Sequence, residues 1–441
     1  MSKPRFVISC PFDTYSGYGA RSRDIVKAII ELDKYKVELL PQRWGETSWG
    51  FCKDHPEWEF LYKHKASADW QKSKPELWMQ ITIPNEFQPV GKYNIGLTAG
   101  IEATACKAEW IEGLNRMDIN WVSSNFAKQT FEQMSYDQKD QRTGQVVRKI
   151  KLEKPVEVIF EGVDLTTYKP IKQSEIKTID LSDIKEEFCY LFVGHWMQGE
   201  YGHDRKNVGV LVNSFYNAFK NKVGKKPALI LKCSAGVASY LSRDSILDKI
   251  KHIKKSVGSS NLPNVYLLHG EFDDSEMNEL YNHSKIKAMV SFTKGEGFGR
   301  PLLEAAITGK PVITTNWSGH KDFLHPDYNI LIGGELKNVH KSAANQFLLK
   351  ESQWFSINTE IAGKAMKDVF KHYKQYFERS RKQTQYLKDN WSFDKMTERL
   401  KGFLNKIPIQ KTVEVKLPQL KKLPKLELNK QQFPKLKKQE V

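Results

Sequence analysis

Cysteine is scarce in this sequence, and long apolar runs are missing. The 441 residues include five cysteines, which lie far apart and form no C-x-x-C pair. An odd, scattered set of this kind does not suit a disulfide framework or a zinc site, and it favours a reducing compartment. No apolar stretch approaches the roughly 18 residues that a membrane-spanning helix needs, and the N-terminus turns polar too early for a signal peptide. These absences predict a cytoplasmic protein without a transmembrane segment or a metal site.

Acidic residues are too few to balance the basic ones. The chain has 69 Lys and Arg against 52 Asp and Glu, a formal net charge of +17. Residues 411–441 hold nine lysines and three glutamates, +6 of the total, which leaves +11 on the remaining residues. Such an excess favours anionic partners, such as nucleic acid, an acidic membrane surface or a phosphorylated substrate. An enzyme that handles nucleotides would also be basic, so the charge does not choose among these partners.

Short apolar segments of strand character alternate with helical segments in two successive series. The first series opens with FVISC (6–10), followed by a loop and by a helical pattern over 21–32. The second begins near residue 188 and includes ALILKCS (228–234) and AMVSFT (288–293). Strands that alternate with helices predict a parallel sheet covered on both faces. Two such series predict two Rossmann-like domains.

The last part of the chain changes character twice. After residue 362 apolar residues recur at helical spacing, from Met366 to Phe377, and form one stripe. Ser392 is a good N-cap for a further helix. Beyond residue 408 a loose LP-x-LKK theme with prolines and lysines predicts an extended basic tail without a core.

The most informative stretch is SFTKGEGFGRPLLEAAITGKPVITTNWSGH (291–320). A buried strand leads into a glycine-rich loop, and Pro301 then stands in the first turn of a helix. Glycines here let backbone amides approach a ligand, and a helix N-terminus favours a phosphate. Glu296 in the loop and Glu304 on the helix are separated by seven residues, and carboxylates accept hydrogen bonds from sugar hydroxyls. The stretch therefore predicts a nucleotide-sugar site.

Two weaker signals precede this stretch. Arg205 and Lys206 follow the strand CYLFVG and are predicted to open a helix. Fixed cations at such a position stabilise the negative charge that develops on a leaving group. SGYG (16–19) follows the first strand, where glycines are common in α/β proteins.

In this order the three signals resemble the family-four retaining glycosyltransferases, which have the GT-B fold, over about residues 5–405. The resemblance implies an α/β protein with two Rossmann-like domains that face each other across a cleft. The regions it implies are an N-terminal acceptor-binding domain (1–170), a donor-binding domain (185–360) and C-terminal helices that pack back on the N-terminal domain (361–408). The Pro/Lys-rich tail (409–441) follows them. The implied reaction is retaining transfer of a hexosyl or pentosyl group from a nucleotide sugar, with neither metal nor cofactor required.

The resemblance also assigns roles to individual residues. Glu296 would contact hydroxyls of the transferred sugar, and Glu304 would bind the ribose of the nucleotide. Arg205 and Lys206 would neutralise the departing diphosphate. The other donor-binding residues that it implies lie in the two glycine-rich loops: Gly17, Gly19, Gly297, Phe298, Gly299, Arg300, Pro301 and Leu302.

The acceptor side departs from the family pattern. Many members carry a histidine at the end of an N-terminal strand, whereas NIGLTAGIEATACKAEW (94–110) has none. A subgroup has a Thr…Glu pattern there, which Thr98, Glu102 and Thr104 fit. Glu102 would then orient the acceptor or accept its proton. In the alternative interpretation, Glu102 is a first-turn glutamate of a helix that starts near Ile101.

The acceptor itself stays open between two classes. A basic segment at 139–155 and several acceptor-side aromatic residues suit a nucleic acid backbone and a stacked base, so one hypothesis is a hydroxyl-bearing modified base in DNA. The aromatic residues are Trp44, Trp49, Phe51, Trp58, Trp70 and Trp78. The alternative, which the resemblance favours, is a lipid-linked or polysaccharide acceptor at an acidic membrane surface. A different GT-B enzyme, such as an epimerase or a phosphorylase, and a non-catalytic polyanion-binding protein are the remaining alternatives.

Overall fold

The computed structural model of the protein describes residues 3–236 and 238–409, so the predicted tail lies outside the described residues except for Ile409. The strands of the first half are β1 (Arg5–Cys10), β2 (Lys36–Pro41), β3 (Leu77–Ile81), β4 (Tyr93–Thr98), β5 (Ile119–Val122), β6 (Ser135–Lys139), β7 (Val146–Lys151) and β8 (Val156–Val158). Its helices are α1 (Gly17–Glu31), α2 (Phe51–Asp54), α3 (Ala108–Arg116) and α4 (Asn125–Gln133). Six strands form a parallel sheet in the order β2-β1-β3-β4-β5-β8, and β6 and β7 form a separate antiparallel hairpin.

The second half repeats this plan. Its strands are β9 (Cys189–His195), β10 (Ala228–Ser234), β11 (Val265–Leu268), β12 (Ile286–Ser291), β13 (Val312–Thr315), β14 (Ile330–Ile332), β15 (Gly334–Asn338) and β16 (Gln353–Ile357). Its helices are α5 (Val208–Phe219), α6 (Tyr240–Ser256), α7 (Asp274–Asn282) and α8 (Arg300–Ile307), followed by α9 (Thr359–Lys371), α10 (Tyr373–Asn390) and α11 (Phe393–Leu404). The parallel sheet has the order β11-β10-β9-β12-β13-β14, and β15 pairs antiparallel with β16.

The apolar runs in the sequence become the central strands because both faces of each sheet are covered. Phe6, Val7 and Ile8 of β1 are fully buried, and so are Leu191 and Phe192 of β9. Parallel strands buried on both faces are continuous apolar runs rather than alternating ones. The predicted α/β class with two Rossmann-like halves is therefore confirmed.

Strand order reverses at one point in each sheet. In the first sheet β1 lies between β2 and β3, and in the second sheet β9 lies between β10 and β12. Loops at the carboxyl ends of the two strands that flank such a point diverge and leave a crevice, which is where open α/β sheets bind ligands. The crevice of the second sheet is lined by the loops that follow β9 and β12.

The chain crosses between the halves twice, and the two crossings lie side by side. The first crossing runs from the end of β8 to the start of β9, and the second runs from α10, which packs on α8, to α11, which packs on α1. At the point of contact the Val163 amide donates to the Trp391 carbonyl over 3.0 Å, and the Phe393 amide donates to the Val163 carbonyl over 2.8 Å. Ser392 caps α11 as predicted, since its side chain accepts from the Lys395 amide.

The structure differs from the sequence prediction in several elements. The basic segment at 139–155 contains most of the hairpin β6–β7, which the sequence did not indicate. The apolar stripe after 362 is divided between α9 and α10, which are separated by His372. In the part of the chain that the structure describes, no helix combines the length and the apolar character that a membrane span requires.

Candidate active site

The loops after β9 and β12 bring three predicted site residues together. Arg205 and Lys206 lie between β9 and α5, and Glu296 lies between β12 and α8. The prediction that the two basic residues open a helix is wrong. α5 begins at Val208, after Asn207 with a φ of +55°, so the basic pair lies in the turn before the helix. This turn stands at the crevice of the second sheet.

Glu296 is held by both basic residues. Its Oε1 lies 2.5 Å from Lys206 Nζ, and its Oε2 lies 3.5 Å from Arg205 Nη1. The Glu296 side chain is 9% exposed, against 14% for Lys206 and 26% for Arg205. The loop is also fixed through its backbone, because the Glu296 amide donates to Ser318 Oγ over 2.9 Å. A carboxylate this buried needs such partners, since an unpaired buried charge is costly.

The charges of the cluster follow from burial and pairing. Burial alone would raise the pKa of Glu296, but the Lys206 and Arg205 cations outweigh it and lower that pKa to about 2. Burial lowers the pKa of Lys206, and Glu296 opposes this shift. His195, at the end of β9, has its pKa lowered to about 4 by burial and by the two neighbouring cations. At neutral pH the carboxylate is therefore charged and the imidazole is neutral.

Glu102 reaches this cluster from the first half. Its Oε1 lies 3.6 Å from Arg205 Nη1, and its side chain is 35% exposed, more than the other three members. The alternative that Glu102 begins a helix is wrong, because α3 begins at Ala108 and residues 99–107 form a loop. A phosphate that enters the crevice would compete with this exposed carboxylate for Arg205.

The glycines of the second-half loop let the two halves touch. A Cβ on Gly295 would lie 1.9 Å from the Glu102 carbonyl oxygen, and one on Gly297 would lie 2.5 Å from the Ala99 carbonyl oxygen. Ser124 Oγ donates to the Gly297 carbonyl over 2.6 Å. The sequence attributed these glycines to a ligand, whereas here they admit the backbone and side chains of the opposite half. Gly17 is different, because a Cβ there would meet nothing within 4 Å.

Glu304 lies in a second buried cluster, which also spans the two halves. Arg300 Nε donates to Glu304 Oε1 over 3.1 Å, and Arg300 Nη1 donates to Asp24 Oδ2 of α1 over 2.6 Å. Tyr281 Oη donates to Glu304 Oε2 over 3.1 Å. Burial raises the pKa of Glu304 to about 7 although Arg300 lowers it. Arg300, predicted to be donor-binding, thus has its guanidinium engaged between α8 and α1.

The remaining predicted donor residues offer backbone rather than side chains. Phe298 and Leu302 are buried in the core, and the Phe298 ring lies 4.9 Å from that of Phe323. Gly299 has a φ of +100° at the cap of α8, and Pro301 stands in its first turn. Gly19 packs tightly in the first turn of α1, since a Cβ there would lie 2.3 Å from the Thr14 carbonyl oxygen.

The acceptor-side threonines have different surroundings. Thr98 Oγ1 lies 2.9 Å from Tyr18 Oη, which also accepts from the Ala99 amide over 3.0 Å. Tyr18 stacks on Trp44 with ring centroids 3.8 Å apart. Sequence reasoning missed this tyrosine, although it is the third residue of SGYG. Thr104 instead bonds Gln353 of β16 through both its amide and its hydroxyl, each over 2.8 Å.

Few of the predicted aromatic acceptor residues form an open surface. Trp78 is 4% exposed and stacks on Trp70 with centroids 5.6 Å apart. The guanidinium carbon of Arg23 lies over the Phe51 ring, 3.4 Å from the ring centroid. Trp49, by contrast, is exposed. The aromatic surface that the sequence suggested for stacking a base is thus partly buried in the core.

Two parallel six-stranded sheets whose crevices face each other across this cluster define a protein of GT-B architecture. Residues 248–345, which lie in the second half, match the family model described as glycosyl transferases group 1. The matched segment includes Glu296 and Glu304 but not Arg205 and Lys206. No curated protein matches the chain in sequence.

Solved structures with the same architecture include sucrose-phosphate synthase from Thermosynechococcus elongatus, with a TM-score of 0.59 and 12% identity over 92% of this chain and 98% of that one. Anabaena HepE in complex with UDP-glucose has a TM-score of 0.58 and 12% identity, over 92% of this chain and 100% of that one. A glycosyltransferase from Rickettsia africae has a TM-score of 0.55 and 13% identity, over 91% of this chain and 98% of that one. These similarities show the GT-B fold.

Proposed function

We propose that this protein is a retaining glycosyltransferase, which moves a sugar from a nucleoside diphosphate sugar to an acceptor hydroxyl. The observation that carries the proposal is the meeting of Arg205, Lys206 and Glu296 at the crevice of the second sheet. This crevice is the usual ligand site of such a sheet, and the three side chains have the charges that a sugar diphosphate requires.

In the proposed reaction the sugar C1–phosphate oxygen bond breaks and a bond from C1 to the acceptor oxygen forms on the same face. Arg205 and Lys206 stabilise the charge on the departing diphosphate, so the proposal assigns that role to side chains rather than to a metal. Glu296 holds hydroxyls of the transferred sugar. The acceptor proton passes to the departing phosphate or to Glu102, which faces Arg205 from the first half.

The start of α1 is suited to the diphosphate as well. α1 begins at Gly17 with Ser16 as its N-cap, directly after β1 and its loop. A helix N-terminus favours a phosphate, and the free space at Gly17 would admit one. Glu304 is assigned to the ribose, which in this proposal replaces part of its hydrogen bonding to Arg300 and Tyr281.

The first donors to test are UDP sugars, because Anabaena HepE has the same fold and was solved with UDP-glucose. The full-length protein would be incubated with a panel of nucleotide sugars, and release of the free nucleoside diphosphate would be measured. Nucleoside diphosphate release from at least one donor is expected. Donor binding without release, with or without acceptors, would instead indicate a non-catalytic protein, and conversion of the donor to another nucleotide sugar would indicate an epimerase.

Both acceptor classes remain proposals. The DNA hypothesis has its main support in the basic hairpin β6–β7, whose Arg148 lies 3.6 Å from Glu112 and is half exposed. A gel-shift series with duplex DNA at rising salt tests it, because phosphate contacts make affinity fall steeply with salt. Absence of binding at low salt would end the DNA hypothesis. The alternative of a peripheral membrane contact predicts sedimentation with vesicles that contain acidic lipid.

A further inference from the structure

A groove lies at the carboxyl edge of the first sheet. It follows the ends of β2 and β3 and the start of α3, and Gln346 and Phe347 of the second half border it. Its volume is about 730 Å³, within the range of about 300–1,000 Å³ that is typical of sites for small organic ligands. The groove is therefore large enough for a ligand of more than one ring.

Side-chain contacts connect the groove with the proposed transfer site. Trp44 lines it and stacks on Tyr18, whose hydroxyl is bonded to Thr98 and to the Ala99 amide. Residues 99–107 carry Glu102, which faces Arg205. The same loop borders the groove directly through Lys107, so a ligand in the groove is next to the segment that carries the acceptor-side carboxylate.

Aromatic rings from both halves border the groove. Trp44 belongs to the first half, and Phe347 belongs to the second half and is 40% exposed. Exposed aromatic side chains beside polar groups are typical of ligand-binding surfaces, since they offer apolar contact area at little entropic cost. Sugar rings have apolar C–H faces that pack against such aromatic rings.

The charged side chains of the groove balance one another. Its basic residues are Arg43, Lys107 and Arg116, and its acidic residues are Glu86, Glu109 and Glu112. A chain of phosphates would meet as many carboxylates as cations here, so its charge would gain no net attraction. Hydroxyl groups, by contrast, donate to carboxylates and accept from cations, so a neutral polyol satisfies both sets.

We propose that this groove binds the acceptor and that the acceptor is an uncharged sugar chain. The inference rests on the proposed glycosyl transfer and adds the substrate class. The chain lies between Trp44 and Phe347, and its terminal hydroxyl points to Glu102. Because one ring comes from each half, the acceptor is held fully only when the halves are together.

The test is binding of the full-length protein to an array of neutral oligosaccharides, acidic oligosaccharides and duplex DNA. The wild type is expected to bind neutral oligosaccharides. Phe347→Ala should weaken that binding about tenfold, the scale of a lost aromatic anchor. Phe377→Ala is the matched control, because Phe377 is a similarly exposed phenylalanine on α10 (38% exposed) and should leave the binding unchanged.

Three results would overturn the inference: no oligosaccharide bound, binding of acidic probes or DNA alone, and equal binding of neutral oligosaccharides by wild type and Phe347→Ala. Trp44→Ala provides a second variant, with the same expected loss. Failure of the proposed transfer would show differently. Neutral oligosaccharides would then bind through the groove, yet no nucleotide sugar would release its diphosphate.

Discussion

Glu296 keeps its negative charge inside the protein because two cations hold it there. The same contacts give Arg205 and Lys206 a structural role before any ligand binds, since each compensates the charge of this buried carboxylate. A side chain that only binds a ligand in an open cleft could be replaced with little effect on folding. The geometry changes this expectation, because removing one partner of a buried ion pair leaves the other charge uncompensated.

Lys206→Ala should therefore lose both activity and stability. Turnover should fall by about 10²-fold or more, the scale for loss of a charge stabiliser in the transition state, and unfolding free energy should fall by about 3–5 kcal/mol at neutral pH. The folded pKa of Glu296 lies below its unfolded value, so its stabilisation exists above the unfolded pKa of 4.5 and is lost towards pH 2. Urea unfolding at pH 7 and pH 3 should show a smaller deficit at pH 3. Lys251→Ala, an exposed lysine on α6, is the control.

Calorimetry should distinguish the roles that are proposed for Glu296 and Glu304. Glu304→Gln should weaken binding of the donor and of the free nucleoside diphosphate alike, because its proposed ligand is the ribose. Glu296→Gln should spare the free diphosphate and weaken the donor, because its proposed ligand is the sugar. If each variant weakened both ligands by the same factor, the division of roles would be wrong.

The sequence predicted the strands that are buried on both faces and missed the strands that are mostly exposed. The central strands were visible because both faces are covered, and the fully buried Leu97 and Leu191 are examples. The hairpin β6–β7 was invisible because nearly all its side chains are exposed, the apolar Val146 and Val147 among them, so no apolar period marks it. Each of the three motif signals follows a strand at the point where the strand order of its own sheet reverses, namely β1, β9 and β12. The Arg300–Asp24 ion pair could not be predicted, because it joins helices 276 residues apart.

The contact between α1 and α8 should depend on pH. The groups that face Glu304 are Arg300, Tyr281, Asp274 and, through Arg300, Asp24 and Glu161. Burial raises the folded pKa of Glu304 to about 7 from 4.5, so its ionisation favours the unfolded chain and its contribution to stability declines as pH rises between these values. Glu304→Gln removes this titration. Wild type should therefore lose stability relative to the variant between pH 5 and pH 7.5 in urea titrations, and parallel curves would contradict the assignment.

For the whole molecule, the loop at Gly295 decides how closely the halves can approach. Gly295→Ala places a Cβ that would lie 1.9 Å from the Glu102 carbonyl oxygen, and separation of the halves would relieve the clash. Small-angle scattering should give a larger radius of gyration, and turnover should fall by at least about tenfold because the reacting groups are displaced. Gly333→Ala is the control, since a Cβ there meets nothing within 4 Å. An unchanged radius with lost turnover would indicate a local effect only.

The paired crossings at Val163 and Trp391 have a mechanical consequence. The two segments are joined by backbone hydrogen bonds at one place, so we expect this place to act as a hinge between the halves. Twisting or sliding of the halves would break those bonds, whereas swinging about the line through them would not. We therefore expect the halves to open mainly by rotation about this point. We expect one distance measured across the cleft, far from this point, to follow that opening.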